Sequence, residues 1–208
     1  MARQQGISDE PIERIVVDGN ERVLIRIRCF AGDLVKEQAL QFSNADVLFV
    51  SDISDALAYK QGISEEFKNF FALWIVGQDL CLQLRPSHDI FEIVTKWNKW
   101  NEKYTHNPRC EDPSDPSNDF FFVYKREALL NIKAERRTND EAVLRLLYGE
   151  ARQNILAGVY PCKVEDAVVL AGMQTQILHG DYDRDRHQAG YLMSVEPHLI
   201  LEFFDLNR

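Results

Sequence analysis

Residues 70–94 read FFALWIVGQDLCLQLRPSHDIFEIV, and this stretch decides the fold. Two apolar segments, FFALWIV and LCLQL, flank Gly77-Gln78-Asp79, which predicts two strands joined by a tight turn. Pro86 ends the second strand, because proline cannot donate to a strand ladder. A helix with a 3.6-residue apolar period follows over HDIFEIVTKW, and Ser87 can cap it. A hairpin this hydrophobic on both faces predicts a sheet wrapped on a helix inside and covered by a neighbour outside.

The preceding segment predicts a second hairpin and a helix. In ERVLIRIRCF the alternation places Val23, Ile25, Ile27 and Cys29 on one face and the arginines on the other. A turn at 31–33 contains glycine, and LVKEQALQF is the returning strand. The period then changes to that of a helix over SNADVLFVSDISDALAYKQGIS, for which Ser43 or Asn44 is the predicted cap and Gly62 the stop.

DFFFVYKREALL predicts a closing strand, so the order of elements over residues 20–131 is β-β-α-β-β-α-β. This is the order of a ubiquitin-like β-grasp roll, which we expect over residues 20–132. Residues 1–19 are polar and predict a flexible N-terminal tail. An acidic, proline-containing loop at 106–119 predicts a solvated insertion, in which Ser114 and Ser117 are candidate phosphate acceptors.

The second half of the sequence predicts helices only. TNDE at 138–141 is a capping-box pattern at the start of a helix that ends near Gly158. A second helix is expected over about 164–179, with Gly180 as its stop, and a third over EPHLILEFFDL. The predicted fold class is therefore α+β: a ubiquitin-like β-grasp roll followed, over residues 138–208, by a partial all-α helical bundle.

Composition excludes several classes of function. The net charge of −9 argues against nucleic-acid binding, which needs clustered cations. No apolar run reaches the roughly 20 residues of a membrane span, and MARQQGISDEPIER lacks the apolar segment of an export signal, so a cytosolic location is expected. The four cysteines are far apart and show no C-x-x-C pairing; Cys29 and Cys81 lie in apolar strand patterns, which predicts buried free thiols rather than a zinc or redox site.

The sequence carries no nucleophile-elbow, phosphate-loop or zinc-protease motif, so we expect no enzyme activity and no cofactor. HGDYDRDRH at 179–187 is the most chemistry-like stretch, because its aspartates alternate like the start of a calcium loop. Counting from Asp181, Arg186 stands where glycine is needed and Leu192 where a bidentate glutamate is needed, which excludes an EF-hand. A metal-dependent hydrolase using this loop remains a distant alternative to a solvated turn.

Two stretches resemble one known family. FFALWIV with LCLQLRPSH is similar to the third and fourth strands of the first lobe of a FERM domain. LRLLYGEARQNILAGVYPCKVEDAVVLAGMQTQILHGDYD is similar to the first two helices of the second, acyl-CoA-binding-protein-like lobe. The resemblance covers about residues 20–195. LRLLYGEARQN with YPCKVED favours the adaptors of rhomboid pseudoproteases within the family, whereas GDYDRDRHQAGYL favours the Krev-interaction-trapped branch.

The resemblance implies a non-catalytic adaptor or scaffold, peripheral at the plasma membrane or endomembranes, that binds the cytoplasmic tail of a membrane protein. The Krev-interaction-trapped branch implies an alternative role as an effector of Rap-type small GTPases. A GTPase would dock on a basic strand face by charge pairing and strand pairing. The residues that we expect to form this face, with Lys36 beside the arginines on the neighbouring strand, are Arg22, Arg26, Arg28, Lys36 and Lys60.

Two further basic stretches are candidate contacts for anionic partners. A basic run between the two lobes is a candidate site for anionic lipid or an acidic tail, against the alternative of a solvated linker. Its residues are Arg126, Lys133, Arg136 and Arg137. TKWNKWNEKY at 95–104 places aromatic residues between lysines at helical spacing, which fits either a membrane-interface face or aromatics that cover the sheet while the lysines stay in water.

Overall fold

A computed structural model describes residues 10–31, 34–43, 46–107, 112 and 114–191. In this part of the chain the strands are β1 (Ile12–Val17), β2 (Asn20–Ala31), β3 (Leu34–Ser43), β4 (Phe71–Gly77), β5 (Cys81–Gln83) and β6 (Phe120–Arg126). The helices are α1 (Val50–Gln61), α2 (Ile90–Thr105), α3 (Ile132–Glu135), α4 (Glu141–Leu156) and α5 (Val164–His179). The element order and the mixed α+β class confirm the predicted ubiquitin-like roll followed by helices.

The six strands form one sheet organised around the 12-residue strand β2. β3 pairs antiparallel along one edge of β2. On its other edge, β2 pairs first with β1, antiparallel, and then with β6, parallel. β4 lies between β6 and the short strand β5 and runs antiparallel to both. β1, β3 and β5 each pair with one described strand, and β3, with ten residues, is the longest of the three.

β1 corrects the prediction that residues 1–19 are a flexible tail, because Ile12–Val17 pair residue by residue with β2. The turn between the two strands is Asp18-Gly19, with φ of 53° and 76°. Two successive positive φ values are what a type I′ hairpin turn requires, and Asp-Gly is a preferred sequence for it. The Asp-Gly pair in VVDGN was therefore the signal for this strand.

The inner face of the sheet packs on α1 and α2. β2 contributes Val23, Ile25, Ile27 and Cys29, all completely buried as the alternation predicts. The first tryptophan of the aromatic and lysine stretch, Trp97, is also completely buried in this core, so it covers the sheet and does not face a membrane. The later aromatic Tyr104 is 54% exposed, with the ammonium of Lys103 5.0 Å from its ring centre.

The helix starts differ from the predicted caps, whereas the stops agree. α1 begins at Val50, because Ser43 still belongs to β3; Asn44 lies outside the described residues. The Asp89 carboxylate, rather than Ser87, caps α2 by accepting from the amide of Phe91 at 3.2 Å. Gly62 ends α1 in the left-handed conformation, which glycine adopts without steric cost.

The described part of the acidic loop is docked on α2 instead of solvated throughout. The Trp97 indole donates to the carbonyl of Asn118 at 2.8 Å, and the Asn101 amide donates to the carbonyl of Ser117 at 2.8 Å. Ser117 is 6% exposed, whereas Ser114 is exposed. Buried polar groups need such partners, so the loop closes the end of the core instead of projecting from it.

The chain divides into two compact units between Glu150 and Ala151, inside α4 and not in the predicted linker at 132–138. The first unit ends with the amino-terminal part of α4, because Val143 and Leu146 belong to the core under the sheet. Asp140, not Thr138, caps this helix: its carboxylate accepts from the amide of Val143 at 3.0 Å.

The second unit contains the end of α4 and all of α5, and its described residues bury little. Ala167 is its buried apolar residue, packed against Ile155, Leu156, Cys162 and Ala171. Ile177 and Leu178 of α5 are 66% and 41% exposed. The predicted third helix at 196–206 lies outside the described residues. None of the described helices combines the length and the apolar character that a membrane crossing demands.

Candidate functional site

The candidate functional site is the outer edge of β3, because this strand pairs only with β2 among the described strands. In an antiparallel ladder, alternate residues direct both backbone groups toward the partner strand or away from it. The amide of Arg26 donates to Pro11 on the β1 side at 2.9 Å, so Arg26 and its partner Ala39 form a pair that exchanges no hydrogen bonds. The outward backbone groups of β3 are therefore those of Val35, Glu37, Ala39 and Gln41.

Lys60 lies at this edge, since its ammonium donates to the outward carbonyl of Ala39 at 3.2 Å. Lys36 is exposed and pairs in register with Cys29, whose side chain faces the core. Lys36 and Lys60 are therefore both on the helix side of the β3 edge. Burial raises the pKa of the Cys29 thiol to about 12, and the nearby Lys60 opposes that shift.

The structure separates Lys36 from the arginines that the sequence grouped with it. Arg22, Arg26 and Arg28 alternate with the buried residues of β2 and lie on the opposite, outer face of the sheet. The expectation that Lys36 lies beside them is wrong, because a one-residue difference in register moves a side chain to the other face of a sheet. The five predicted residues thus form two groups on opposite faces.

Arg26 is fully engaged in holding the sheet together. Its guanidinium contacts the Glu13 carboxylate at 3.0 Å and the Glu37 carboxylate at 3.8 Å, and it donates to the carbonyl of Glu10 at 2.8 Å. These contacts bridge β1, β2 and β3. Substitution of Arg26 would therefore disturb the sheet, so its effect on binding would not report a direct contact.

The outer face of the sheet is covered by its own cations. The Arg28 guanidinium stacks 3.8 Å from the ring centre of Phe121, and the Lys125 ammonium lies 4.3 Å from the ring centre of Trp74. Such stacking is favourable because the ring face carries partial negative charge. The long stems of these two side chains shield part of the apolar surface on this face. That a neighbour covers the face stays a prediction.

A cleft of about 830 Å³ opens beside Arg28, between β2 and the docked loop. It is lined by cations and carboxylates together, including Arg26, Arg28, Glu37 and Asp119. Because opposite charges alternate around it, the cleft does not select an acidic ligand by charge.

The basic run near the lobe boundary also divides into structural and exposed residues. The Arg126 guanidinium contacts the Glu135 carboxylate at 2.8 and 2.7 Å and donates to the carbonyl of Leu130 at 3.0 Å. Arg126 therefore fixes the turn after β6. Lys133, Arg136 and Arg137 are exposed on and just after α3.

Glu150 is a buried acidic residue that the sequence analysis did not single out. It is 7% exposed, and its carboxylate accepts from the backbone amide of Arg126 at 2.7 Å. Burial raises its pKa, while this hydrogen bond and the nearby cations Lys125 and Arg126 act in the opposite direction. Glu150 lies seven residues after Val143, on the same face of the helix, and this spacing could have predicted its burial from the sequence.

In the 179–187 loop, Asp183 is engaged with the backbone of the loop itself. The Asp183 carboxylate accepts from the amides of Asp185 and Arg186 at 2.8 and 3.3 Å, which lowers its pKa. His187 accepts from the amide of Asp183 at 2.8 Å. In the part of the chain that the structure describes, no three histidine, cysteine or acidic side chains are grouped as a metal site would require.

Comparison with known proteins agrees with this fold. The family model for the FERM central domain matches residues 133–198. FERM domain-containing protein 8 of Xenopus laevis is 24% identical over 186 residues, which cover 89% of this chain and 40% of the relative. The human protein of the same name is 34% identical over 119 residues, or 57% of this chain and 25% of the relative. The chain thus spans less than half the length of these relatives.

A solved structure shares the fold at low identity. It is the human myosin 7b C-terminal MyTH4-FERM domain in complex with the harmonin-a PDZ3 domain, with a TM-score of 0.57 and 21% identity. The match covers 88% of this chain and 33% of that chain. The central-domain match over residues 133–198, the similarity to FERM domain-containing protein 8 and the shared fold together show that this chain resembles FERM domains.

Proposed function

We propose that the chain is a non-catalytic adaptor that works at the cytoplasmic face of membranes and binds the cytoplasmic tail of a membrane protein. The observation that carries the proposal is the open edge of β3. An extended peptide can add to such an edge, where backbone hydrogen bonds give affinity and alternate side chains give specificity. The outward groups of Val35–Gln41 offer a length of strand suited to a short linear segment.

Charge at the edge favours a tail with acidic residues. Lys36 and Lys60 lie on the helix side of β3, and the Lys60 ammonium already reaches the outward carbonyl of Ala39. An acidic side chain of the bound strand that projects to this side would meet both lysines. The FERM-containing neighbour is described in complex with a protein domain, which supports protein binding as the general role.

A non-catalytic role is supported by how the acidic groups are engaged. The Glu150 carboxylate accepts from a backbone amide, and the Asp183 carboxylate accepts from two. The two amides lower the pKa of the Asp183 carboxyl, which makes this carboxylate a weaker general base. The hydrolase alternative therefore receives no support from the described part of the 179–187 loop.

A second candidate function, an effector of Rap-type small GTPases, uses the same edge. Two observations favour it: the open outer edge of β3 and the two lysines, Lys36 and Lys60, beside it. GTPase switch regions supply acidic residues and an edge strand, so the two modes of binding would be mutually exclusive.

Strand addition is tested by Ala39→Pro, which removes an outward amide while leaving every β2–β3 hydrogen bond in place. Binding of fluorescent 12-residue peptides from a library of cytoplasmic tails would be measured, with amide chemical shifts to locate the site. We expect shifts along Val35–Gln41 and a loss of affinity of about tenfold in the proline variant, from one lost hydrogen bond and the added ring. Ala39→Ser, which keeps the amide, is the matched control. Equal peptide affinity for the proline and serine variants would refute strand addition.

The GTPase alternative is tested by calorimetric titration with a Rap-type GTPase loaded with GDP or with a non-hydrolysable GTP analogue. Heat with the GTP form alone, lost in Lys36→Gln with Lys60→Gln, would establish an effector. Lys99→Gln with Lys103→Gln, which removes two exposed cations of α2, is the control. Absence of heat from the folded chain would leave tail binding as the function of the edge.

A further inference from the structure

The turn that joins β6 to α3 carries an exposed apolar tip. Leu129 is 90% exposed and Ile132 is 56% exposed. We define residues 127–137 as the Leu129 tip. Isolated exposed apolar residues are common on protein surfaces. Here two of them lie three residues apart beside a group of cations, and this grouping needs an explanation.

The tip is held rigidly by hydrogen bonds. The Glu127 amide donates to the carbonyl of Phe70 at 2.9 Å, and the Ala128 amide donates to the Gln83 side chain at 2.9 Å. On the other side of the turn, the Arg126 guanidinium holds Glu135 and the carbonyl of Leu130. Leu129 is thus fixed in an exposed position by neighbours on both sides.

Three exposed cations flank the apolar residues. Lys133, Arg136 and Arg137 lie within eight residues of Leu129. The two carboxylates of the tip have partners of their own. Glu135 pairs with Arg126, and Glu127 accepts from the Gln83 side chain and the Leu129 amide. The exposed Glu141 follows at the start of α4. The tip is therefore locally basic, although the whole chain carries a net charge of −9.

We propose that the Leu129 tip contacts an anionic lipid bilayer, with Leu129 and Ile132 among the headgroups and the three cations on acidic lipids. Apolar insertion and electrostatic attraction together give a peripheral contact that neither gives alone. A bilayer fits better than an acidic peptide, because the Leu129 and Ile132 side chains are exposed and do not line the cleft beside Arg28. The tip follows β6 and shares no residue with the β3 edge, so variants of the two surfaces can be tested separately.

The test is co-sedimentation of the 208-residue chain with vesicles of 30 mol% phosphatidylserine in phosphatidylcholine, compared with pure phosphatidylcholine. Expected losses of affinity on the anionic vesicles are about tenfold for Leu129→Ser, from lost apolar burial, and roughly 25-fold for Arg136→Gln with Arg137→Gln, at about fivefold per cation. Leu129→Phe should restore binding, and binding should fall as salt rises.

Two matched controls keep the test specific. Tyr59→Ser removes an aromatic side chain that is 88% exposed on α1, and Lys99→Gln with Lys103→Gln removes two exposed cations of α2. Both should bind anionic vesicles like the unmodified chain. The proposal is overturned if the controls lose as much affinity as the tip variants, if neutral vesicles bind equally well, or if an acidic peptide (poly-glutamate) binds with dependence on Leu129 while vesicles do not bind. Because the vesicles hold no protein, failure here leaves strand addition at β3 untouched.

Discussion

Glu150 shows how a single buried charge makes stability depend on pH. Burial raises the pKa of its carboxyl in the folded state above the ordinary value that it has in the unfolded chain. The folded state therefore keeps the proton at pH values where the unfolded state has lost it. Stability is highest below the unfolded pKa and falls as pH rises through the interval up to the folded pKa.

Glu150→Gln should remove this pH dependence while keeping an oxygen that accepts from the Arg126 amide. We expect the free energy of unfolding of the unmodified chain to fall, relative to the glutamine variant, as the pH rises from 4.5 to 7. Urea unfolding at several pH values measures this difference. Glu150→Ala should cost about 1–3 kcal/mol at low pH, because the Arg126 amide then lacks its partner. Parallel pH profiles for the unmodified chain and the glutamine variant would contradict the assignment.

At the residue scale, the sequence identifies the basic residues but not which of them are available to contact a partner. Arg26 is engaged by Glu13 of β1, a strand that the sequence analysis did not predict, and Arg126 by Glu135 across the turn after β6. Lys36 was assigned to the wrong face because the turn before it sets the register of β3. Alternation along one strand fixes the face of each residue within that strand, whereas relative register depends on tertiary pairing.

Gly77 shows why one end of β4 admits no side chain. A Cβ atom at this position would lie 2.6 Å from the Trp97 ring and 3.2 Å from the carbonyl of Asp119. The ring cannot move freely, because its indole donates to Asn118. The glycine of the fold-deciding hairpin therefore serves close packing between strand and helix.

Gly77→Ala should destabilise the chain by about 1–3 kcal/mol through overpacking. The expected readout is a lower melting temperature together with a change in tryptophan fluorescence as Trp97 shifts. Gly172→Ala is the control, because a Cβ there meets nothing within 4 Å and alanine favours the helix by about 1 kcal/mol. Equal melting temperatures for the Gly77 variant and the unmodified chain would show that Gly77 does not pack closely against Trp97 in solution.

At the scale of elements, predictions based on strong periodicity were correct, and those based on weak local signals were not. β4 and β6 carry apolar runs and β2 a regular apolar alternation, and all three were placed correctly. β1 was missed because Ile12–Val17 are only half-buried or exposed and its apolar alternation is weak. The caps of α1, α2 and α4 were misplaced by a few residues, since several polar residues stand before each helix.

The two compact units differ in how much core they contain. The core of the first unit runs from β2 to the start of α4, whereas the second unit buries Ala167 and little else among its described apolar residues. Local stability follows the burial of the backbone and its side chains. The molecule is therefore expected to be most stable in the sheet and least stable in α5.

Amide hydrogen exchange should show this difference directly. We expect the amides of α5 to exchange well before those of β2, β4 and β6. Within α4, the part up to Glu150 should exchange slowly with the first unit, and residues from Ala151 onward should exchange faster. Mass spectrometry of short peptides across α4 resolves the two halves. Uniform protection along α4 and α5 would contradict a division at this point.

The stacked cations on the outer face of the sheet bear on solubility. The Arg28 and Lys125 side chains each cover an aromatic ring on the outer face of the sheet. The hydrophobic core lies on the opposite, inner face. A chain with alanine at both positions would still fold, since no buried contact is lost. It would, however, present two bare rings and the apolar surface between them to neighbouring molecules. We therefore expect the double-alanine chain to precipitate at a protein concentration at which the unmodified chain stays in solution.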